Sequence, residues 1–338
     1  MSISRYVVSL ADLAVIEITG PDAVTFLHGQ LSHDIAGLSP GHAHLAGFCT
    51  AKGRLLGTMV VWPLSGSEVP TLRALIKADI ADAVAKRLSM FVLRAKVKIS
   101  VTNLSVLGVG ASTGTADANT PAGSQAGLLE QAAALPEDPA PWAVVHTEAG
   151  DWIAAISAKG ASARWWLVTA TDMATEQPSQ AARTAWQAQD IAAGLPWVQA
   201  AIQDVFIPQT LNLDLIDGVS FTKGCYPGQE VVARSHYRGT VKRRMAYGLI
   251  HNGTDLQAET LSGTDTFDAN NPQNPVGRIV NAAKAAAGDQ SDGQSASDAV
   301  HVLMEVQLAD LGQADFRLGS AEGPAINVQM LPYDIVTP

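Results

Sequence analysis

The segment Lys223-Gly224-Cys225-Tyr226-Pro227-Gly228-Gln229-Glu230 sets a thiol between two glycines, with an ammonium two residues before it. Glycine lets a backbone turn tightly or approach a ligand closely. A neighbouring ammonium lowers the pKa of a thiol and favours the thiolate, the form that acts as nucleophile and as metal ligand. Gln229 and Glu230 then open the apolar run Val231-Val232-Ala233. That run reads as the first turn of a helix, whose free N–H groups also favour a thiolate or a bound anion. A lone cysteine is often only a small core residue. Here the combined spacing favours a functional Cys225 with Lys223 beside it.

The elements that must position this loop are mixed in order. Leu13 to Ile18 reads as a strand, closed by Gly20-Pro21-Asp22. Val24, Leu27, Leu31 and Ile35 recur at helical spacing. Phe48 to Trp62 reads as two strands around a turn at Lys52-Gly53. A helix is expected over Ile76 to Leu88 and a strand over Val92 to Val101. Ala111 to Pro141 is rich in Ala, Gly, Pro, Ser and Thr and reads as an exposed loop or insertion. Trp152 to Ile156 and Trp165 to Thr169 look like paired strands. Ser179 to Ala193 reads as a helix stopped by Gly194-Leu195-Pro196.

Beyond Arg244 the pattern changes to short strands between polar turns. Met245–Ile250, Val276–Val280, Val302–Leu308 and Ala325–Met330 are the expected strands, and Ala282 to Ala299 is a second low-complexity insertion. This order predicts an α+β fold with a C-terminal β-barrel rather than a doubly wound sheet. Residues 1–240 form one module of two interleaved α+β subdomains, interrupted near 111–141. Residues 241–338 form the barrel, interrupted near 282–299.

Composition narrows the function. The chain has 338 residues, 47% of them hydrophobic, which is ample for a sizeable core. Lys and Arg number 22 against 32 Asp and Glu, a formal net charge of -10. Such a chain is repelled by bulk nucleic acid, so no direct nucleic-acid partner is expected. Two cysteines, Cys49 and Cys225, are too few for a disulfide framework or for a four-thiolate cluster or zinc site. Neither a signal peptide nor a membrane span is evident, and the reading is a cytoplasmic protein with no membrane partner. His28, His33, His42 and His44 fall close together, but no pair has i,i+4 spacing with an acidic partner. They read as surface and turn histidines, with no metal assigned.

The motif, with Phe206-Ile207-Pro208-Gln209 before it and Val232-Ala233-Arg234 through Arg238-Gly239 and Lys242-Arg243 after it, resembles the signature of the YgfZ family. Ile18-Thr19-Gly20-Pro21-Asp22, Phe26-Leu27-His28-Gly29-Gln30 with Asp34, and Lys52-Gly53-Arg54 resemble that family's opening and hairpin. The resemblance implies an arrangement like the glycine-cleavage T-protein, three domains around a central folate channel. It implies tetrahydrofolate or another reduced folate as cofactor, and iron–sulfur enzymes or their assembly machinery as partners. The implied function is assembly or repair of iron–sulfur enzymes, with tRNA methylthiolation among the dependent activities. On this reading Cys225 and Lys223 carry the chemistry. Gln209, Asn212, Gly224, Tyr226, Gly228, Gln229, Glu230, Arg234 and Arg238 shape the cofactor site. Arg234 and Arg238 would anchor the folate glutamate tail or a phosphate-bearing partner. Tyr226, Phe221 and Trp197 are aromatics able to stack on a pterin, though such residues are more often core.

Two departures constrain the mechanism. Aminomethyltransferases of the superfamily carry an Asp-Asp pair after the hairpin, and this chain has Gly57-Thr58 there. The superfamily's Arg-x-Glu-Ala-Gly, whose Glu binds the pterin, is here Asp190-Ile191-Ala192-Ala193-Gly194, with Ala192 at the glutamate position. Asp190 is a possible substitute, and folate affinity is expected to be modest. A tetrahydrofolate-dependent aminomethyl or one-carbon transferase and a non-catalytic folate-sensing scaffold remain the alternatives.

Overall fold

A computed structural model describes residues 4–112, 124–158, 160–171, 180–237, 239, 241–251, 253, 255–285 and 299–335. Three antiparallel sheets make up the frame. The first contains β2 (Leu13–Thr19), β3 (His44–Cys49), β4 (Leu55–Pro63), β5 (Thr71–Lys77) and β6 (Lys98–Val101), in the order β3-β4-β5-β2-β6. Eight of the nine β4 residues are buried, so its near-continuous apolar run is that of a strand covered on both faces. Helix α2 (Ala78–Ser89) follows β5 directly and buries Ile80, Ala81, Val84, Ala85 and Leu88 on one face. Asp79 in its first turn and Lys86 and Arg87 in its last complement the helix dipole.

The second sheet has the order β1-β7-β10-β9-β8, from β1 (Ser4–Ser9), β7 (Ser105–Ser112), β8 (Val144–Thr147), β9 (Gly150–Ala155) and β10 (Arg164–Thr169). Its first strand comes from before sheet one and pairs with β7, from Ser4 opposite Ser112 to Ser9 opposite Leu107. The buried Asp151 ties the two sheets together. Its Oδ2 accepts from Trp62 Nε1 at 3.0 Å and from Arg73 Nη1 at 2.9 Å. Helix α4 (Gln180–Ala192) ends where Gly194 takes φ +68°, as the Gly-Leu-Pro stop predicts.

The third sheet has the order β15-β12-β13-β14-β11-β16, from β11 (Arg243–Ile250), β12 (Asp265–Asp268), β13 (Gly277–Lys284), β14 (Val300–Gln307), β15 (Phe316–Leu318) and β16 (Asn327–Gln329). It curls into a half-barrel, and Arg317 in edge strand β15 bridges Ala325, just before β16 at the other edge. The α+β expectation and the curled C-terminal sheet therefore hold.

Several local readings change. Helix α1 covers only Ala23–His28, because Leu31 instead bridges Phe48 and Ile35 packs in the core without helix. Ile76 belongs to β5 rather than to α2, and the strand expected from Val92 begins only at Lys98. Within the segment read as a loop, Ser124–Ala133 is helix α3, and residues 113–123 lie outside the described residues. Leu128, Ala132 and Leu135 supply a buried stripe that the small-residue composition disguises. Lys284 ends β13 inside the second expected insertion, and residues 286–298 are outside the described part.

The sheets meet around tryptophans. Trp166 lies 6.1 Å from Trp142, 6.2 Å from Trp186 and 6.1 Å from Trp197 between ring centroids. Beside them, Arg164 and Asp190 form a buried pair at 2.8 Å, and Trp197 Nε1 donates to the other Asp190 oxygen at 3.1 Å. Burial raises the Asp190 carboxyl while the Arg164 guanidinium opposes that rise.

Candidate functional site

The cysteine loop is held by two segments distant in sequence. Gly228 takes φ +82°, and a Cβ there would stand 2.4 Å from the Thr50 carbonyl oxygen and 2.6 Å from Gly53 Cα. Gly53, with φ +73°, faces back: its Cβ would meet Val231 at 2.9 Å. Two backbones thus touch where neither position tolerates a side chain. The hairpin after β3 is in this way docked on the start of helix α5 (Gln229–Tyr237). The second anchor is Lys223, which is buried. Its ammonium donates to the His28 carbonyl, and to the Leu31 carbonyl at 2.6 Å. It also lies 4.9 Å from the centroid of the buried Tyr226 ring. Burial pulls the Lys223 ammonium down to about 8, against the opposing charges of Asp34 and Cys225.

Between these anchors Cys225 is exposed. Cys49 is buried, and burial pushes its thiol up to about 12, so it is the inert thiol of the two. The expected accessibility of Cys225 is therefore present. The ammonium expected beside it is directed at main-chain carbonyls. His28, from the opening motif, completes the surroundings: a Cβ on Gly224 would lie 3.6 Å from its Nε2.

The remaining site residues divide. Gln229 and Glu230 open α5 as expected, and Glu230 pairs with Arg234 at 2.6 Å in an exposed i,i+4 bridge. Arg238 lies outside the described residues. Gln209 and Asn212 are fully buried, and their side chains serve the main chain. Gln209 Nε2 donates to the Val232 carbonyl at 2.6 Å. Asn212, left-handed at φ +58°, donates to the Met245 carbonyl at 2.8 Å and accepts from the Met245 N–H at 3.2 Å. Arg244, directly after the motif's Lys242-Arg243, is bound to Asp214 at 2.5 and 3.0 Å. Phe221 stacks on His236 at 3.7 Å.

A separate cavity of about 380 Å³ opens between the end of β5 in sheet one, helix α4 and β13 of sheet three. Lys77, Gln187, Asp190, Trp197 and Asn281 line it with Asp12, and none of its lining residues comes from the 223–230 loop. Sequence reading did not single out Asp12, Lys77 or Gln187, because each is an isolated polar residue with no motif around it. Lys77 Nζ donates to Asp12 Oδ2 at 2.6 Å, and Gln187 Nε2 donates to the same oxygen at 3.0 Å. Burial would raise the Asp12 carboxyl, but these partners, Lys77 foremost, hold it below the usual carboxylate range. Its Oδ1 is buried without a hydrogen-bond partner among the described residues. Asp190 directs one oxygen at Arg164 and the other at Trp197.

The histidines differ from the surface reading. His33 is buried and stacks on His44 at 4.0 Å between ring centroids, and its Nε2 lies 3.2 Å from Asp217 Oδ1.

The three-sheet arrangement is that of the T-protein fold. Glycine cleavage system aminomethyltransferase T from Bartonella henselae superposes with a TM-score of 0.61 over 97% of this chain and 86% of that one, at 17% identity. No protein-family model matches the chain. A tRNA-modifying protein YgfZ of Yersinia pseudotuberculosis serotype O:1b (strain IP 31758) is 34% identical over 261 residues, 74% of this chain and 72% of that protein. The protein of the same name from Klebsiella pneumoniae (strain 342) is 32% identical over 247 residues, 70% of this chain and 69% of its own length. The chain belongs to the YgfZ family. Among the described residues no helix is long and apolar enough to cross a membrane.

Proposed function

We propose that this chain is a folate-binding accessory protein that supports tRNA modification by maintaining iron–sulfur enzymes, with Cys225 as its acting group. The observation that carries the reading is an exposed thiol on a loop fixed from both sides, by Gly228 against the hairpin and by Lys223 against the opening motif. A side chain that only filled space would gain nothing from such anchoring, since loops held by distant segments cost conformational entropy. The tRNA assignment rests on the name of the relatives. Their name says nothing of folate or iron–sulfur clusters, and those parts rest on the family resemblance of the motif. A strain lacking the protein, complemented with the wild-type chain, is expected to recover tRNA methylthiolation and iron–sulfur enzyme activity. Cys225→Ser at equal abundance is expected to recover neither. Full complementation by that variant would leave Cys225 as packing and favour the scaffold reading.

We place the folate in the central cavity rather than against the cysteine. Its volume falls within the range of small-molecule sites, roughly 300–1,000 Å³. Trp197 offers a stacking face, and the unpartnered Oδ1 of the ionised Asp12 suits the N–H edge of a pterin. Tetrahydrofolate titrated by calorimetry is expected to bind the wild-type chain. Asp12→Asn is expected to weaken it about 10- to 100-fold, the worth of a charged hydrogen bond of ~1.5–3 kcal/mol. Equal affinity in the two proteins would move the pterin elsewhere, and binding by neither would remove folate from the account.

A further inference from the structure

We infer that His33, His44 and Asp217 form a binding site for one divalent first-row transition ion of the zinc type. The three residues come from three separated segments: the turn after α1, the start of β3, and the turn that leads into the cysteine motif. Each offers a ligand atom, and these atoms all lie within 4.8 Å of one another. Donors around a tetrahedral zinc ion stand on the order of 3.3 Å apart, given metal–nitrogen distances of about 2.0–2.1 Å. His33 Nε2 and Asp217 Oδ1 already meet that spacing at 3.2 Å. Asp217 is exposed, so its carboxylate has the freedom to close the rest.

The segments are held together independently of the proposed ligands. The buried Ser32 hydroxyl donates to the Gly218 carbonyl at 2.6 Å and accepts from the Gly47 N–H at 2.7 Å. The Ser220 N–H donates to the Ser32 carbonyl at 2.9 Å. One serine, adjacent to His33, thus fixes all three segments, and a metal site needs such a preset scaffold.

A second observation points at a ligand. Among the described residues Nδ1 of His44 is buried with no hydrogen-bond partner, and His33, whose Nε2 faces Asp217, is 7% exposed. Buried polar atoms are nearly always satisfied, and each exception calls for an explanation. Imidazole with carboxylate and no thiolate suits zinc, nickel, copper or iron rather than calcium or magnesium. Three protein ligands leave a fourth position open to water, with the His42 ring edge-on to His44 at 5.3 Å.

The untagged full chain, stripped with a chelator, is titrated with Co²⁺ at neutral pH and then with Zn²⁺. One equivalent of Co²⁺ with visible d–d absorption, displaced by Zn²⁺, is expected. His44→Ala and Asp217→Asn are each expected to weaken Zn²⁺ binding at least ~10-fold, the lower end of what even an outer-shell change costs. Cys225→Ser and Asp12→Asn are expected to bind like the wild type, which separates this site from the proposed thiol and folate sites. Asp217 is exposed, so its variant tests the site without disturbing the core. No saturable uptake by the wild-type chain, or uptake unaltered in both ligand variants, overturns the site and leaves the histidines as a packing pair.

Discussion

Given aminomethyl-lipoyl carrier protein and tetrahydrofolate, the chain is expected to produce methylene-folate and ammonia at least ~10²–10⁴-fold more slowly than a T-protein, the usual worth of a placed acid–base group. The T-protein fold is present, and the family resemblance sets Thr58 where the transferases carry a carboxylate. Thr58 is fully buried. Its hydroxyl donates to the Pro196 carbonyl at 3.2 Å and accepts from the Val198 N–H at 3.0 Å. It is a structural bracket between β4 and the segment after α4, with its single donor spent on the main chain. Gly57 faces Ile76 and Ile80, where a Cβ would already be at 3.4 Å, and β4 holds no Asp or Glu. Turnover comparable to a T-protein would sink this account of Thr58 and restore the transferase reading.

Replacing Arg164 by Leu is expected to destabilise the chain by about 3–5 kcal/mol, the usual cost of leaving one member of a buried ion pair alone. Arg164 reaches Asp190, the Ile156 carbonyl at 2.7 Å and the face of Trp186 at 4.6 Å. Asp190 holds Trp197, whose backbone N–H in turn donates to Asn281 Oδ1 of the third sheet at 2.9 Å. Removing Arg164 therefore strands a carboxylate and loosens a chain of contacts that runs from sheet two through α4 to sheet three. Urea unfolding at neutral pH measures the loss. The double variant Arg164→Leu with Asp190→Leu is expected to recover a large part of it, because no charge is left buried. A single variant within ~1 kcal/mol of the wild type would show that Trp and backbone packing, not the pair, holds this junction.

Much of the frame was legible because the apolar pattern and the stops agree. Leu13 to Ile18, the hairpin around Lys52-Gly53, the pair Trp152/Trp165 and the helix ended by Gly194 needed only local physics. The failures share a cause. Leu31 and Ile35 keep helical spacing, yet pairing with the Phe48 strand pulls the chain out of helix after His28. The helix at Ser124–Ala133 rests on packing against sheet two, which composition could not reveal. At the site, the exposure of Cys225 followed from its glycine-flanked loop. The direction of the Lys223 ammonium did not, because its acceptors at residues 28 and 31 are nearly two hundred residues away. Asp12 and the His33–His44 stack were hidden for the same reason. Their meaning lies in neighbours that only the folded chain supplies.

Strand β1 pairs with β7 alone in its sheet, across a separation of about one hundred residues that holds all five strands of sheet one. A ribosome adds roughly 5–20 residues per second. The β1 segment therefore waits about 5–20 s after its own synthesis for the strand that completes it. During that interval Tyr6, Val7 and Val8 carry an unpaired strand pattern, the kind that invites association with other chains. Sheet one can gather its own strands meanwhile, because β2 to β6 are all in hand before β7 begins. Crowding of nascent chains, or a pause placed ahead of residue 105, lengthens the exposure of this single segment, and a chaperone that shields it would raise the yield of folded protein without touching the finished fold.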